Sequence, residues 1–344
     1  MRAIVYSEAG GPDVLRLVER PIPDPGPGEV RVAVQVSGVN PTDWKARGGS
    51  GDSRLPFPEV VPNQDGAGTI GAVGQGVDPA RVGERVWLWE AAWERADGTA
   101  QEYLVLPERQ AVRLPEAVSF DVGASLGIPA LTAHRCLTVS EAGPRRLKPG
   151  ALAAQTVLVA GGAGAVGHAA IQLARWAGAR VLSTVSSEEK AKLAHAAGAD
   201  LVVDYRSPNT VEQIRHLAPE GVDVVVEVAP GANAALDAAV LAANGTVAAY
   251  ANDGGIKLEL AVGELMHRNL RYQFVLVYTV PSAAKDEAVA DVSAAAADGA
   301  LPVGEAAGLP LHRFLLEQTG DAHAAVEGGA VGKVLINVAR SGSP

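Results

Sequence analysis

The segment Gly161 Gly162 Ala163 Gly164 Ala165 Val166 Gly167 constrains this chain more than any other, because it follows the apolar run Thr156 Val157 Leu158 Val159 Ala160 and precedes a helical pattern over 166–177. Gly162, Gly164 and Gly167 satisfy G-x-G-x-x-G between a strand and a helix. Glycines permit a tight turn and close backbone approach to a pyrophosphate, and the free amides and dipole at a helix start favour its negative charge. Dinucleotide binding follows; a loop that serves packing alone is the competing reading.

The texture around the loop agrees. Strand patterns at 181–185, 201–203, 222–226 and 246–250 alternate with helical patterns at 188–197, 210–217 and 232–242. That alternation specifies a doubly wound parallel sheet. Asn209 and Glu212 read as a cap pair, and Asn244-Gly245 as a helix stop. About 20 residues past the loop, where an acid would hold the ribose 2′-hydroxyl of NAD, stand Ser183, Thr184, Ser186 and Ser187. Without a carboxylate to repel it, a 2′-phosphate can sit against the hydroxyls with Lys190 as a point-charge partner, so NADPH is favoured over NADH. Lys190 also reads as an ordinary solvated helix lysine, and Tyr205, ending the next strand, is equally two-sided.

The flanks differ. Residues 1 to about 125 are β-rich, with clean alternation in Val30 Arg31 Val32 Ala33 Val34 Gln35 Val36. Beyond about 265 come the β run Tyr272 to Tyr278, an alanine-rich helix at 283–297, a closing strand Lys333 to Val338 and a loose tail, Ser341 to Pro344. The expected organisation is one domain of 1–125 plus 270–344 with a second, 126–269, inserted into it.

A net charge of −10 gives no support to a grip on nucleic acid. Cys136 is the one cysteine, so neither an intrachain disulfide framework nor a thiolate zinc cage can be built. The seven histidines are scattered, no apolar stretch approaches the roughly 20 residues of a membrane span, and Met1 to Tyr6 alternates like a strand rather than a signal segment. A reduced cytoplasm is the expected setting.

Across nearly the whole chain the residues resemble the zinc-free, ζ-crystallin-like quinone oxidoreductase branch of the medium-chain dehydrogenase/reductases. The resemblance rests on Gly38 Val39 Asn40 Pro41 Thr42 Asp43, Pro62 to Gly68, Gly83 Glu84 Arg85 Val86, Ala124 to Ala133, the Gly161 to Gly167 loop and Gly332 Lys333 Val334. It implies a GroES-like β-rich catalytic domain with an inserted Rossmann domain and a site in the cleft between them. Zinc-dependent relatives carry Cys where Asn40 stands and Gly-His-Glu where Asn63 Gln64 Asp65 stand, so both metal positions are lost. The resemblance puts Lys190 and Tyr205 at the phosphate-recognising positions; Tyr250, Phe274, Val275 and Lys333 are further expected cofactor contacts, Tyr250 and Phe274 being candidates for lining the pocket as well. Some bacterial relatives place a phosphate-binding arginine where Gly328 and Gly329 stand here.

Hydride transfer from nicotinamide needs no side-chain nucleophile, and a developing oxyanion can be met by neutral donors. The resemblance places the Asn40 amide and the Thr132 hydroxyl beside nicotinamide; Asp43 is a further catalytic candidate whose competing reading, shared with Asp65, is loop closure. Trp89 and Trp93, with Tyr278, are candidates for a flat-ring substrate pocket, core packing being the alternative for the indoles. The apolar run 272–278 also reads as an edge strand through which relatives pair, which implies a homodimer. The leading expectation is NADPH-dependent, metal-free reduction of a quinone or related conjugated carbonyl. Reduction of an enoyl or 2-alkenal C=C bond, and a non-catalytic NADPH-binding role, are the alternatives.

Overall fold

The computed structural model describes residues 1–49 and 55–339. The expected tail, Ser341 to Pro344, lies outside the described residues. The chain divides into two compact units, one of Met1–Ile128 with the segment from Leu311 onward and one of Pro129–Pro310.

The chain order is β1 (Arg2–Val5), β2 (Arg16–Glu19), β3 (Glu29–Val39), α1 (Pro41–Gly48), β4 (Asp65–Val73), β5 (Arg85–Leu88), β6 (Tyr103–Pro107), β7 (Ala111–Arg113) and α2 (Phe120–Leu137). The middle segment holds β8 (Thr156–Ala160), α3 (Ala165–Trp176), β9 (Arg180–Val185), α4 (Glu188–Ala196), β10 (Leu201–Asp204), α5 (Thr210–Leu217), β11 (Val222–Glu227), α6 (Pro230–Val240), β12 (Leu241–Ala249), α7 (Val262–His267), β13 (Arg271–Phe274) and α8 (Ser282–Ala297). The chain closes with β14 (Leu311–Leu315), α9 (Thr319–Glu327) and β15 (Lys333–Asn337).

In the first unit β3 is central, because its period-2 pattern buries Val30, Val32, Val34 and Val36 on one face. It pairs antiparallel with β4, β6 and β15 in a sheet ordered β14-β15-β3-β4-β5-β7, with β6 also on β3. Val30, Val32 and Val34 pack with Ile4, Ile70, Leu104, Leu106 and Ile336 into the main core of this unit, while Val36 packs with Ala67, Ala124 and Leu335. The register sets Gly38 opposite Asp65 and Val39 opposite Val334, so the residues just past Val39 and just before Val334 meet at one corner of the sheet.

In the second unit six parallel strands lie in the order β10-β9-β8-β11-β12-β13. The order reverses direction between β8 and β11, and in such sheets ligands bind outside the carboxyl ends of the strands at that switch point.

Four features differ from the sequence expectation, each for a physical reason. The second boundary falls at 310 rather than 269, because β13 joins the parallel sheet beside β12 and brings α8 with it. The β run 272–278 is strand only to Phe274; Val277–Thr279 is a 3-10 turn ahead of Pro281. The helix before Asn244-Gly245 stops at Val240, since Leu241 already pairs with Val222; Asn244, at φ +64, instead turns the chain inside β12 where the register shifts. Asn209 makes no side-chain cap on α5. Thr210 Oγ1 donates to the Asp204 and Ser207 carbonyls instead.

Candidate active site

The glycine loop leaves the carboxyl end of β8 through Gly161, whose φ of +70 is open to glycine and strained for other residues. Its amide donates to the Thr184 carbonyl at 2.9 Å, tying the turn to β9. A Cβ on Gly162 would collide with Ser183 Oγ and sit 2.8 Å from Ile171 Cδ1, and one on Gly167 would collide with the Gly161 carbonyl. Those two glycines serve close packing of helix on strand. Gly164 is different: it is exposed, and the one atom within 4 Å of a Cβ there is Gly161 O, at 3.4 Å. It stands at the N-cap of α3 with no side chain to satisfy the helix amides, so the N–H groups of Ala165, Val166 and Gly167 head an uncapped first turn. An exposed, sterically open backbone at a helix start fits a diphosphate. Ala163, 3% exposed, packs inward from the same loop.

The hydroxyl cluster separates into two groups. Ser183 does not serve as expected, because it is fully buried and donates to the Val159 carbonyl at 2.9 Å, in the space that Gly162 leaves. Ser186 and Ser187 lie past the carboxyl end of β9. Ser187 Oγ accepts from the Lys190 amide at 3.3 Å and caps α4, and Lys190 Nζ donates to Ser186 Oγ at 3.1 Å. The Tyr205 amide donates to the Val185 carbonyl at 3.2 Å, and the residue is 44% exposed.

Sequence reasoning missed Arg206. Its guanidinium donates to the Ser186 carbonyl and pairs with Asp204, so it shares Ser186 with Lys190. The signal was a basic residue directly after Tyr205 at a strand's carboxyl end. Tyr250, Phe274 and Val275 sit at the carboxyl ends of β12 and β13, on the same edge of the sheet as the glycine loop. Val275 donates to the Ala249 carbonyl at 2.8 Å, and burial pushes the Tyr250 phenol well above its usual value. Thr132, 5% exposed, lies on the second half of α2, and Tyr278, 7% exposed, has its carbonyl 2.6 Å from Lys285 Nζ.

In the first unit, Asn40, Asp43, Asp65 and Lys333 form one buried cluster, each at most 4% exposed. Asn40 Nδ2 donates to Asp65 Oδ2 at 2.7 Å, and Lys333 Nζ donates to Asn40 Oδ1 at 2.7 Å and to Asp65 Oδ2 at 3.3 Å. Asp65 Oδ1 accepts from the Ile128 amide at 2.8 Å, just past a sharp kink of α2 at Gly127. Lys333, expected among the cofactor contacts, here has its ammonium answering a buried carboxylate. Asp43 closes the first turn of α1, accepting from the Asn40 amide at 2.6 Å, which is the loop-closure reading. Burial and then the Asp65 charge raise the Asp43 carboxyl to about 8.

Trp89 is 1% exposed beside Trp87 and beneath the Arg109 guanidinium, so it presents no ring face for stacking; Trp93, half-buried, follows in the next turn. Burial raises the Cys136 thiol to about 12 and lowers His168 and His323 to about 4 and 3, which leaves all three neutral at physiological pH. Among the described residues no group of three or more His, Cys, Asp or Glu side chains is placed to hold a metal ion. Among them, too, no helix is long and apolar enough to cross a membrane.

A split, mainly antiparallel β unit and a β8–loop–α3 dinucleotide fold in one chain define the medium-chain dehydrogenase/reductase class. Residues 26–116 match the alcohol dehydrogenase GroES-like domain family, and residues 165–296 the family described as zinc-binding dehydrogenase. The chain is 31% identical over 340 residues to the quinone oxidoreductase of Homo sapiens, covering 98% of this chain and 97% of that protein. A mycobacterial quinone oxidoreductase superposes with a TM-score of 0.81 at 31% identity, covering 98% of this chain and 99% of that one. The Escherichia coli quinone oxidoreductase complexed with NADPH gives a TM-score of 0.79 at 25% identity, covering 98% and 100%. The chain therefore belongs to the quinone oxidoreductase family and is an NAD(P)-dependent enzyme of that type.

Proposed function

We propose that the protein uses NADPH to reduce quinones or similarly conjugated carbonyls, and that it needs no metal to do so. The observation that carries this reading is the open, exposed backbone of Gly164 at the head of α3. NADPH, when bound, supplies the hydride. The amides of Ala165, Val166 and Gly167 hold its diphosphate, while Ser186, Ser187, Lys190, Tyr205 and Arg206 meet its 2′-phosphate. Tyr250, Phe274 and Val275 border the nicotinamide end, and Trp93 and Tyr278 shape the acceptor's surroundings. Asn40 and Thr132 donate hydrogen bonds to the acceptor oxygen as negative charge develops there.

Zinc does not fit the residues present. Position 40 offers a carboxamide, the Cys136 thiol stays protonated, and the Asp65 carboxylate is already answered by Lys333. The exposed end of β13, with Phe274 at 63% and Leu276 at 54%, supports pairing with a second copy as a homodimer.

Titration with NADPH and NADH, followed by a panel of quinones, enones, enals and enoyl thioesters read at the nicotinamide absorbance band, tests the function. Tighter NADPH binding and oxidation by quinones are expected. NADPH oxidation by enals or enoyl thioesters alone would overturn the quinone reading, and binding without any turnover would overturn both.

A further inference from the structure

The buried charges at the sheet corner have no part in the chemistry above, yet they are built with care. Asn40 follows the carboxyl end of β3, Asp65 opens β4 and Lys333 opens β15, so the antiparallel registers of three strands bring them together. Gly38 belongs to the same construction: a Cβ there would lie 3.1 Å from Lys333 Cε and collide with the Ala124 carbonyl. Its absence leaves the passage through which the lysine reaches Asn40.

The carboxamide of Asn40 is held on both sides, with a cation on its oxygen and an anion on its nitrogen. Turning it over would set its NH2 against an ammonium and its oxygen against a carboxylate. Both contacts would become repulsive, so a single orientation is allowed. Of the two Nδ2–H donors one is bound by Asp65, which leaves the other for a ligand.

We propose that Lys333 and Asp65 are positioning residues that lock the Asn40 carboxamide so that its remaining N–H is presented to the acceptor oxygen during hydride transfer. The inference rests on the donor role given to Asn40 above. A preoriented donor needs no reorganisation when charge develops, whereas a freely turning amide offers its oxygen half the time.

Removing Lys333 alone would strand a buried carboxylate and endanger the fold, so the test removes both charges together. In Asp65→Asn/Lys333→Met, kcat with a quinone is expected to fall at least about tenfold, with the NADPH dissociation constant unchanged by direct titration. Asn40→Ala is expected to fall about 100-fold. The decisive readout is the cycle: the pair substitution should slow the Asn40→Ala background by less than about twofold. A general structural defect would slow that background as much as it slows the wild type, and this would overturn the proposal. A wild-type kcat in the pair variant, beside a slow Asn40→Ala, would overturn positioning alone. An unimpaired Asn40→Ala would remove the donor role itself and the positioning role with it.

Discussion

Gly162 and Gly164 stand two residues apart in one motif, and the structure assigns them opposite sensitivities. An alanine at 164 adds a Cβ at ordinary contact distance, 3.4 Å from Gly161 O, with φ −83 and ψ 161 that any residue adopts. Loss of a preferred N-cap glycine costs about 0.5–1 kcal/mol, and the stiffer unfolded chain returns about 0.4–1 kcal/mol, so Tm should move by no more than about 2 °C. The same methyl occupies the approach to the helix amides. Losing one charge-assisted hydrogen bond of about 1.5–3 kcal/mol raises the NADPH dissociation constant about 10- to 150-fold. At 162 the added Cβ collides with Ser183 Oγ inside the sheet. Overpacking of about 1–3 kcal/mol should lower Tm by about 2–12 °C in a unit of this size. Calorimetric titration with NADPH beside thermal unfolding reads both effects. Wild-type affinity in Gly164→Ala and in the bulkier Gly164→Val would refute the assignment of the loop to the diphosphate.

Lys190→Ala and Arg206→Ala are each expected to weaken NADPH by about tenfold while leaving NADH nearly unchanged; equal loss for both cofactors would move these cations away from the 2′-phosphate. Asp43, raised from the ordinary carboxylate range to about 8, favours its protonated form in the folded chain. Its contribution is full below about pH 4 and is lost as pH rises through about 8, with a slope of at most about 1.4 kcal/mol per pH unit. Asp43→Asn should therefore flatten the fall of Tm between about pH 4 and pH 8, and an unchanged profile would contradict the burial argument. Size-exclusion chromatography should show a dimer that Phe274→Glu with Leu276→Glu converts to a monomer; a wild-type monomer would refute pairing through β13. Quinone reduction should survive exhaustive chelation, and a loss that added zinc restores would contradict the metal-free reading.

What the sequence discloses about this molecule is mostly local. The valine alternation of β3 and the strand–glycine–helix grammar around Gly161 to Gly167 are short-range patterns, and the structure follows both. Ser183 and Lys333 show where such reading stops. A serine on a strand looks available until Gly162 on the neighbouring turn is seen to make room for it. A lysine after a Gly looks like a cofactor contact until the pairing of β15 with β3 is seen to carry it to Asn40 and Asp65. Arg206 was hidden for a related reason, since its value comes from Ser186 on an adjacent strand end. The fate of the 272–278 run was decided by which sheet accepted it, a long-range choice that apolar composition does not encode.

The most direct trial is single-turnover stopped flow. Chelated protein loaded with NADPH, deuterated or not at the transferred position, is mixed with a quinone. We expect one equivalent of NADPH to be oxidised in the absence of metal, more slowly for the deuterated cofactor. Persistence of the reduced nicotinamide signal until zinc is added, or an oxidation rate indifferent to the deuterium, would contradict unaided hydride transfer.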